Sequence, residues 1–66
     1  MDKYFAVIIN NEYYDIWNGT TTNNYIIARL YDDLKELKED CSNLKDYKIK
    51  ELIIDYELNL ISERFI

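Results

Sequence analysis

A chain of 66 residues fits one domain, residues 1–66, and a domain this small buries only about 60% of the surface its unfolded form exposes. One cysteine and no histidine exclude an internal disulfide, a zinc centre and imidazole-based catalysis, so the expected supplement to a thin core is oligomerisation or docking on another protein. A net charge of −5, from 13 acidic and 8 basic side chains, is the wrong sign for binding nucleic-acid phosphates or an anionic membrane surface.

The N-terminus MDKYFAVIIN holds a short apolar run, FAVII, with no small-residue cleavage site after it, and no run approaches the roughly 20 residues of a membrane span. With a single free thiol, these features point to the reducing cytoplasm. The segment KYFAVIINNEYYDIW predicts a β-hairpin. It is rich in β-branched and aromatic residues, and Asn10-Asn11 suits a two-residue turn because Asn tolerates positive φ. A loop of those two residues sets Ile9 opposite Glu12, Val7 opposite Tyr14 and Phe5 opposite Ile16. One face then carries Phe5, Val7, Ile9, Tyr14 and Ile16, and the other Tyr4, Ala6, Ile8, Tyr13, Asp15 and Trp17.

Asn18-Gly19 ends the second strand, and the following TTTNN offers helix N-caps. Asn18-Gly19-Thr20 also matches a glycosylation acceptor, a match without meaning outside the secretory route. From Asn24 to Leu44, apolar residues at Ile27, Leu30, Tyr31, Leu34, Leu37, Cys41 and Leu44 recur in steps of three and four, which predicts one long amphipathic helix. Leu52, Ile54, Tyr56, Leu58 and Leu60 then alternate with Ile53, Asp55, Glu57, Asn59 and Ile61, the pattern of a half-buried strand. Tyr47 and Ile49 run in the opposite phase, which a bulge near Lys50-Glu51 reconciles. Ile49, Leu52, Ile53, Tyr56 and Leu60 also fit a helix, so this third is open between strand and helix, with strand preferred. The expected fold class is α+β, a ββαβ domain with one long amphipathic helix and a C-terminal strand.

No constellation for catalysis emerges. Cys41 lies on the apolar helix stripe, where a thiol acts as a small hydrophobe rather than a nucleophile. Asp55 and Glu57 on one strand face stand about 6.6 Å apart, and Asp32, Glu36 and Asp40 repeat about every 6 Å along the helix. Neither set supplies hard-cation geometry, so no metal, cofactor or enzymatic role is expected. Residues 32–46 carry six acids and three bases, an acidic ridge around Asp32, Asp33, Glu36 and Asp40 that is either a solvated face or a surface for a basic partner. A single helix covers one face of a small sheet, the face of Phe5, Val7, Ile9, Tyr14, Ile16 and the even-numbered residues of the last strand, which leaves Tyr4, Ile8, Tyr13 and Trp17 as an exposed apolar patch around Asp15. Such a patch is an interface, closed by a second copy in a homodimer or by a foreign protein.

The hairpin, the stretch Tyr13-Tyr14 to Gly19, the helix and the Ile-rich strand resemble in outline the small acidic uracil-DNA glycosylase inhibitors of some phages. That resemblance implies dimerisation and mimicry of DNA; it rests on outline and carries no residue roles across. The expected function is therefore that of a small acidic protein-binding inhibitor or regulator of the kind phages and mobile elements encode. Anti-defence and anti-CRISPR proteins share this profile, and one mode of action would be to occlude a nucleic-acid-binding site on the target. The alternative is a structural or assembly subunit that forms a homo-oligomer. The residues expected to meet a partner are Tyr4, Ile8, Tyr13, Asp15, Trp17, Asp32, Asp33, Glu36, Asp40, Asp55 and Glu57.

Overall fold

In the computed structural model, which describes residues Met1–Ile66, strand dominates: 45% of the chain is strand and 11% is helix. The elements run β1 (Asp2–Ile9), β2 (Glu12–Asp15), β3 (Thr20–Thr22), β4 (Leu30–Tyr31), α1 (Leu34–Asp40), β5 (Lys48–Ile54) and β6 (Leu60–Phe65). The sheet order is β3-β2-β1-β5-β6, every pairing is antiparallel, and β4 adds to β1 off this path. The ββαβ domain with one long helix is thus replaced by a curled antiparallel sheet with one short helix.

The hairpin forms at the expected turn. Asn10 and Asn11 both take positive φ, 53° and 66°, and Ile9 pairs with Glu12 and Ile8 with Tyr13. The second strand then leaves β1 and pairs with β3, and Leu30-Tyr31 takes its place beside Ala6 and Phe5. One edge of β1 therefore serves two strands in succession while the other pairs with β5 from Asp2 to Ile8, within a curled sheet.

Curling gives β1 a buried cluster on each face. Val7 packs with Tyr31, Leu37 and Cys41, and Phe5, Ile9, Tyr14, Ile16 and Ile49 border that group. Ala6 and Ile8 pack with Tyr13, Ala28, Leu52 and Ile54, bordered by Tyr4, Tyr25, Leu30 and Leu60. The two faces of the hairpin separate as alternation predicts. Leu52 and Ile54 of β5 do not follow the expectation: they join Ala6 and Ile8, opposite the face expected for them, because Tyr4 pairs with Leu52 and Asp2 with Ile54.

The expected helix from Asn24 to Leu44 shrinks to seven residues, Leu34–Asp40. Polar side chains capture backbone groups before it can start. Thr22 Oγ1 accepts from Asn24 N–H, Asn24 Oδ1 accepts from Ile26 N–H, and Asp33 Oδ1 accepts from Lys35 N–H with extended φ and ψ of −125° and 116°. Asp33 is thus the N-cap, and Leu37 is the one buried residue of α1. The expected single C-terminal strand is instead two strands joined by a turn. Asp55 Oδ1 accepts from the N–H groups of Glu57 and Asn59, and Leu58 takes a φ of 67°. The Leu58 N–H donates to the Asp55 carbonyl at 3.0 Å, so a four-residue turn ends in a left-handed residue. The register irregularity lies between Ile53 and Ile54 where β5 meets β6, rather than at Lys50-Glu51.

Candidate functional site

The second strand and the turn after it divide the aromatic residues sharply. Tyr13 faces the even-residue cluster of β1 and is 9% exposed, while Trp17, four residues on, is 75% exposed. Tyr13 packs edge-on to Tyr25, with ring centroids 6.2 Å apart, and its hydroxyl donates to Glu63 Oε2 at 3.2 Å. Glu63 also accepts from Lys50 Nζ at 2.5 Å. Burial and the neighbouring Glu63 push the Tyr13 phenol up to about 12, and the Lys50 hydrogen bond holds the Glu63 carboxyl below its ordinary range. This triad ties β2 to β5 and β6 at the edge of the core and is structural.

Asp15 is also structural. It is 4% exposed, and its carboxylate accepts from Trp17 N–H at 3.1 Å and from Asn18 Nδ2 at 2.6 Å. Its carbonyl accepts from Gly19 N–H at 2.8 Å, closing a turn in which Gly19 adopts a φ of 67°. The expected exposed patch around Asp15 therefore dissolves. Ile8, Tyr13 and Asp15 are buried within the chain, and Tyr4 is half-buried against Tyr25 and Leu30. Residues 25–30, which a long helix would set on the opposite face, cover Ile8, Tyr13 and Tyr4.

What remains outside is Trp17, held by the Asp15 turn and by Arg29. The Arg29 guanidinium lies 5.3 Å from the Trp17 ring centroid and 4.1 Å from that of Tyr31, within cation–π range of both. It also pairs with Glu36 Oε1 at 2.9 Å and donates to the Leu30 carbonyl. Arg29 thereby joins the exposed indole to the helix carboxylates in one contiguous surface. Nothing in the sequence marks Arg29 for this place, because a continuous helix sets it four residues before Asp33 as a simple surface pair.

The acidic ridge is built differently from a row of free carboxylates. Asp33 caps α1, Glu36 is bound by Arg29, and Asp40 accepts from the Tyr31 hydroxyl at 3.0 Å. Asp32 is exposed. The Tyr31 phenol is pushed up, first by burial and then by its bond to Asp40, and burial also raises the Cys41 thiol beside it. Cys41 is 1% exposed and lines the core, as its place on the apolar stripe implies. Asp55 and Glu57 lie in the turn between β5 and β6 and not on a strand face. The Asp55 carboxylate is engaged by Asn59 and Glu57, and those hydrogen bonds hold its carboxyl below the ordinary range. The structure thus gathers Trp17, Glu36 and, through Tyr31, Asp40, and it separates Asp55 and Glu57 from them.

No helix is long and apolar enough to cross a membrane. No known family, curated protein or solved structure matches this chain.

Proposed function

We propose that this chain is a non-enzymatic protein that acts by binding another protein, as an inhibitor or regulator of the kind mobile elements and phages encode. The observation that carries this reading is Trp17. The chain's one tryptophan stands 75% exposed on a turn fixed by three hydrogen bonds to Asp15; seven of the other nine rings fill or border the two cores, and the exposed Tyr56 and Phe65 lie in the β5–β6 turn and on β6, without such a turn to hold them. Tryptophan and arginine dominate interface hot spots, and a ring held in place loses little freedom on binding. The carboxylates of Asp32, Glu36 and Asp40 lie on the adjoining α1 side, which suits a partner with a basic rim around an apolar pocket, including a nucleic-acid-binding protein in a cytoplasmic setting.

A second reading, a homo-oligomeric assembly subunit, is favoured by β6. It is a six-residue edge strand with Ile61 and Phe65 about half exposed, and its two charges are already paired within the sheet, Glu63 to Lys50 and Arg64 to Glu51. A free edge without unpaired charge can add a strand from another copy. Cross-linking mass spectrometry in host extract, coupled to sedimentation of the purified chain, separates the two. The first reading expects a foreign protein cross-linked near Trp17 and a monomer in isolation. A concentration-dependent oligomer joined at β6, with no foreign cross-link, supports the second reading and counts against the first.

A further inference from the structure

We propose that Asn18 is a deamidation site, and that its conversion to a carboxylate opens the turn that holds Trp17. The inference stands on the Asp15 turn and does not require that Trp17 meets a partner. Asn followed by Gly is the pairing in which the next backbone nitrogen reaches the side-chain carbonyl carbon with least hindrance, since Gly has no Cβ. Here nothing lies within 4 Å of the position a Gly19 Cβ would take, and residues 17–20 are all exposed. In the reaction the Gly19 nitrogen gives up its proton and bonds to Asn18 Cγ, ammonia leaves, and a cyclic imide forms. Water then opens the imide at either carbonyl, giving aspartate or isoaspartate at position 18. No oxidant or cofactor is needed.

The folded turn resists the first step and is undone by the last. The attacking Gly19 N–H is held by the Asp15 carbonyl at 2.8 Å, and the leaving amide donates to Asp15 Oδ2 at 2.6 Å. Both groups must be released before the nitrogen can approach the carbonyl carbon, so reaction proceeds from the locally opened turn. In the product a carboxylate replaces the Nδ2 donor opposite a carboxylate that is 4% exposed. An acceptor then faces an acceptor, and two like charges meet where desolvation makes repulsion strong. The turn cannot close again, and the backbone bond from Trp17 N–H to Asp15 Oδ1 is the next one exposed to that repulsion.

Deamidation of the full chain at neutral pH, folded and in guanidinium, can be followed by peptide mapping with isoaspartate detection. The folded chain is expected to react on the order of tenfold more slowly, the factor set by a modest local-opening free energy. Equal rates in the two states, or no reaction at Asn18 in either, would overturn the proposal. Asn18→Asp, checked for retained strand content by circular dichroism, should lower the fluorescence anisotropy of Trp17. Adding Asp15→Asn to that variant should restore it, because a donor again faces an acceptor. Unchanged anisotropy in Asn18→Asp, or no recovery in the double variant, would refute the charge-opposition step.

Discussion

Leu37→Ala is the substitution through which the packing of α1 can be judged. Leu37 is fully buried, is the one buried residue of its helix, and fills the space between Val7, Tyr31 and Cys41. Truncating a leucine in such a site removes about 2.7–5 kcal/mol, through lost transfer energy and the cavity left behind. A chain of 66 residues has a total stability of about 3–10 kcal/mol at ordinary values per residue. The variant is therefore expected to lie close to its unfolding threshold. Urea denaturation followed by circular dichroism measures this directly. With a slope of about 1 kcal/mol per molar, a loss of about 3 kcal/mol moves the midpoint by about 3 M. A shift below about 0.5 M would show that the helix does not dock on β1, and the two-sided core would then be wrong. A helix of seven residues has no independent stability in water, so a large shift should come with loss of the α1 signal and not with a free-standing helix.

Three further outcomes follow from the same structure. The carboxyls of Glu63 and Asp55 titrate below their ordinary range in the fold, so the stability they contribute is present above the unfolded value near 4.5 or 3.8 and is lost as pH falls through the folded values. Stability should fall as pH drops through that range, and Glu63→Gln should flatten the fall; an unchanged acid limb would contradict the Lys50–Glu63–Tyr13 triad. Tyr13 and Tyr31 have raised phenols, so the unfolded chain ionises first and stability should decline as pH rises from 10 through about 12, a slope that Tyr13→Phe should reduce in alkaline melts. Leu58→Gly should stabilise the chain by about 0.5–1 kcal/mol in urea titration, because Leu58 holds a φ of 67° with its side chain mostly exposed, whereas destabilisation would reveal packing against Tyr25 and Ile54 that outweighs the backbone strain.

Local chemistry was legible in this sequence, and partnerships between distant segments were not. Asn10-Asn11 declared its turn because few residues accept positive φ twice in succession, and alternation then sorted β1 correctly onto two faces. The long helix failed for a physical reason. The apolar stripe from Tyr31 to Leu44 has helical spacing, yet Tyr31 reaches the core from an extended segment paired with Phe5, and Ile26 and Ile27 are exposed. Spacing alone cannot separate a helix face from a short strand followed by a shorter helix. The Asp32-Asp33 pair was the available signal, since an aspartate favours the cap over the interior. In the C-terminal third, the alternation continued through Asp55–Asn59 and hid a turn whose Asp and Asn side chains bind the backbone. Ile8 and Tyr13 are misplaced by alternation because only the curled sheet brings residues 25–30 over them, and Asp15 because its own turn closes on its carboxylate and carbonyl. Arg29, the residue that links Trp17 to Glu36, owes its position to that same curl.

In the proposed role, the Trp17 ring serves a partner and not the fold. Titration of wild-type and Trp17→Ala chains against the protein cross-linked at this surface, with a thermal melt of each, tests it most directly. The melting temperature should be nearly unchanged, as expected for a residue 75% exposed, and the affinity weakened by at least about tenfold, as for a hot-spot ring. Unchanged affinity, or a chain that unfolds without its indole, would contradict it.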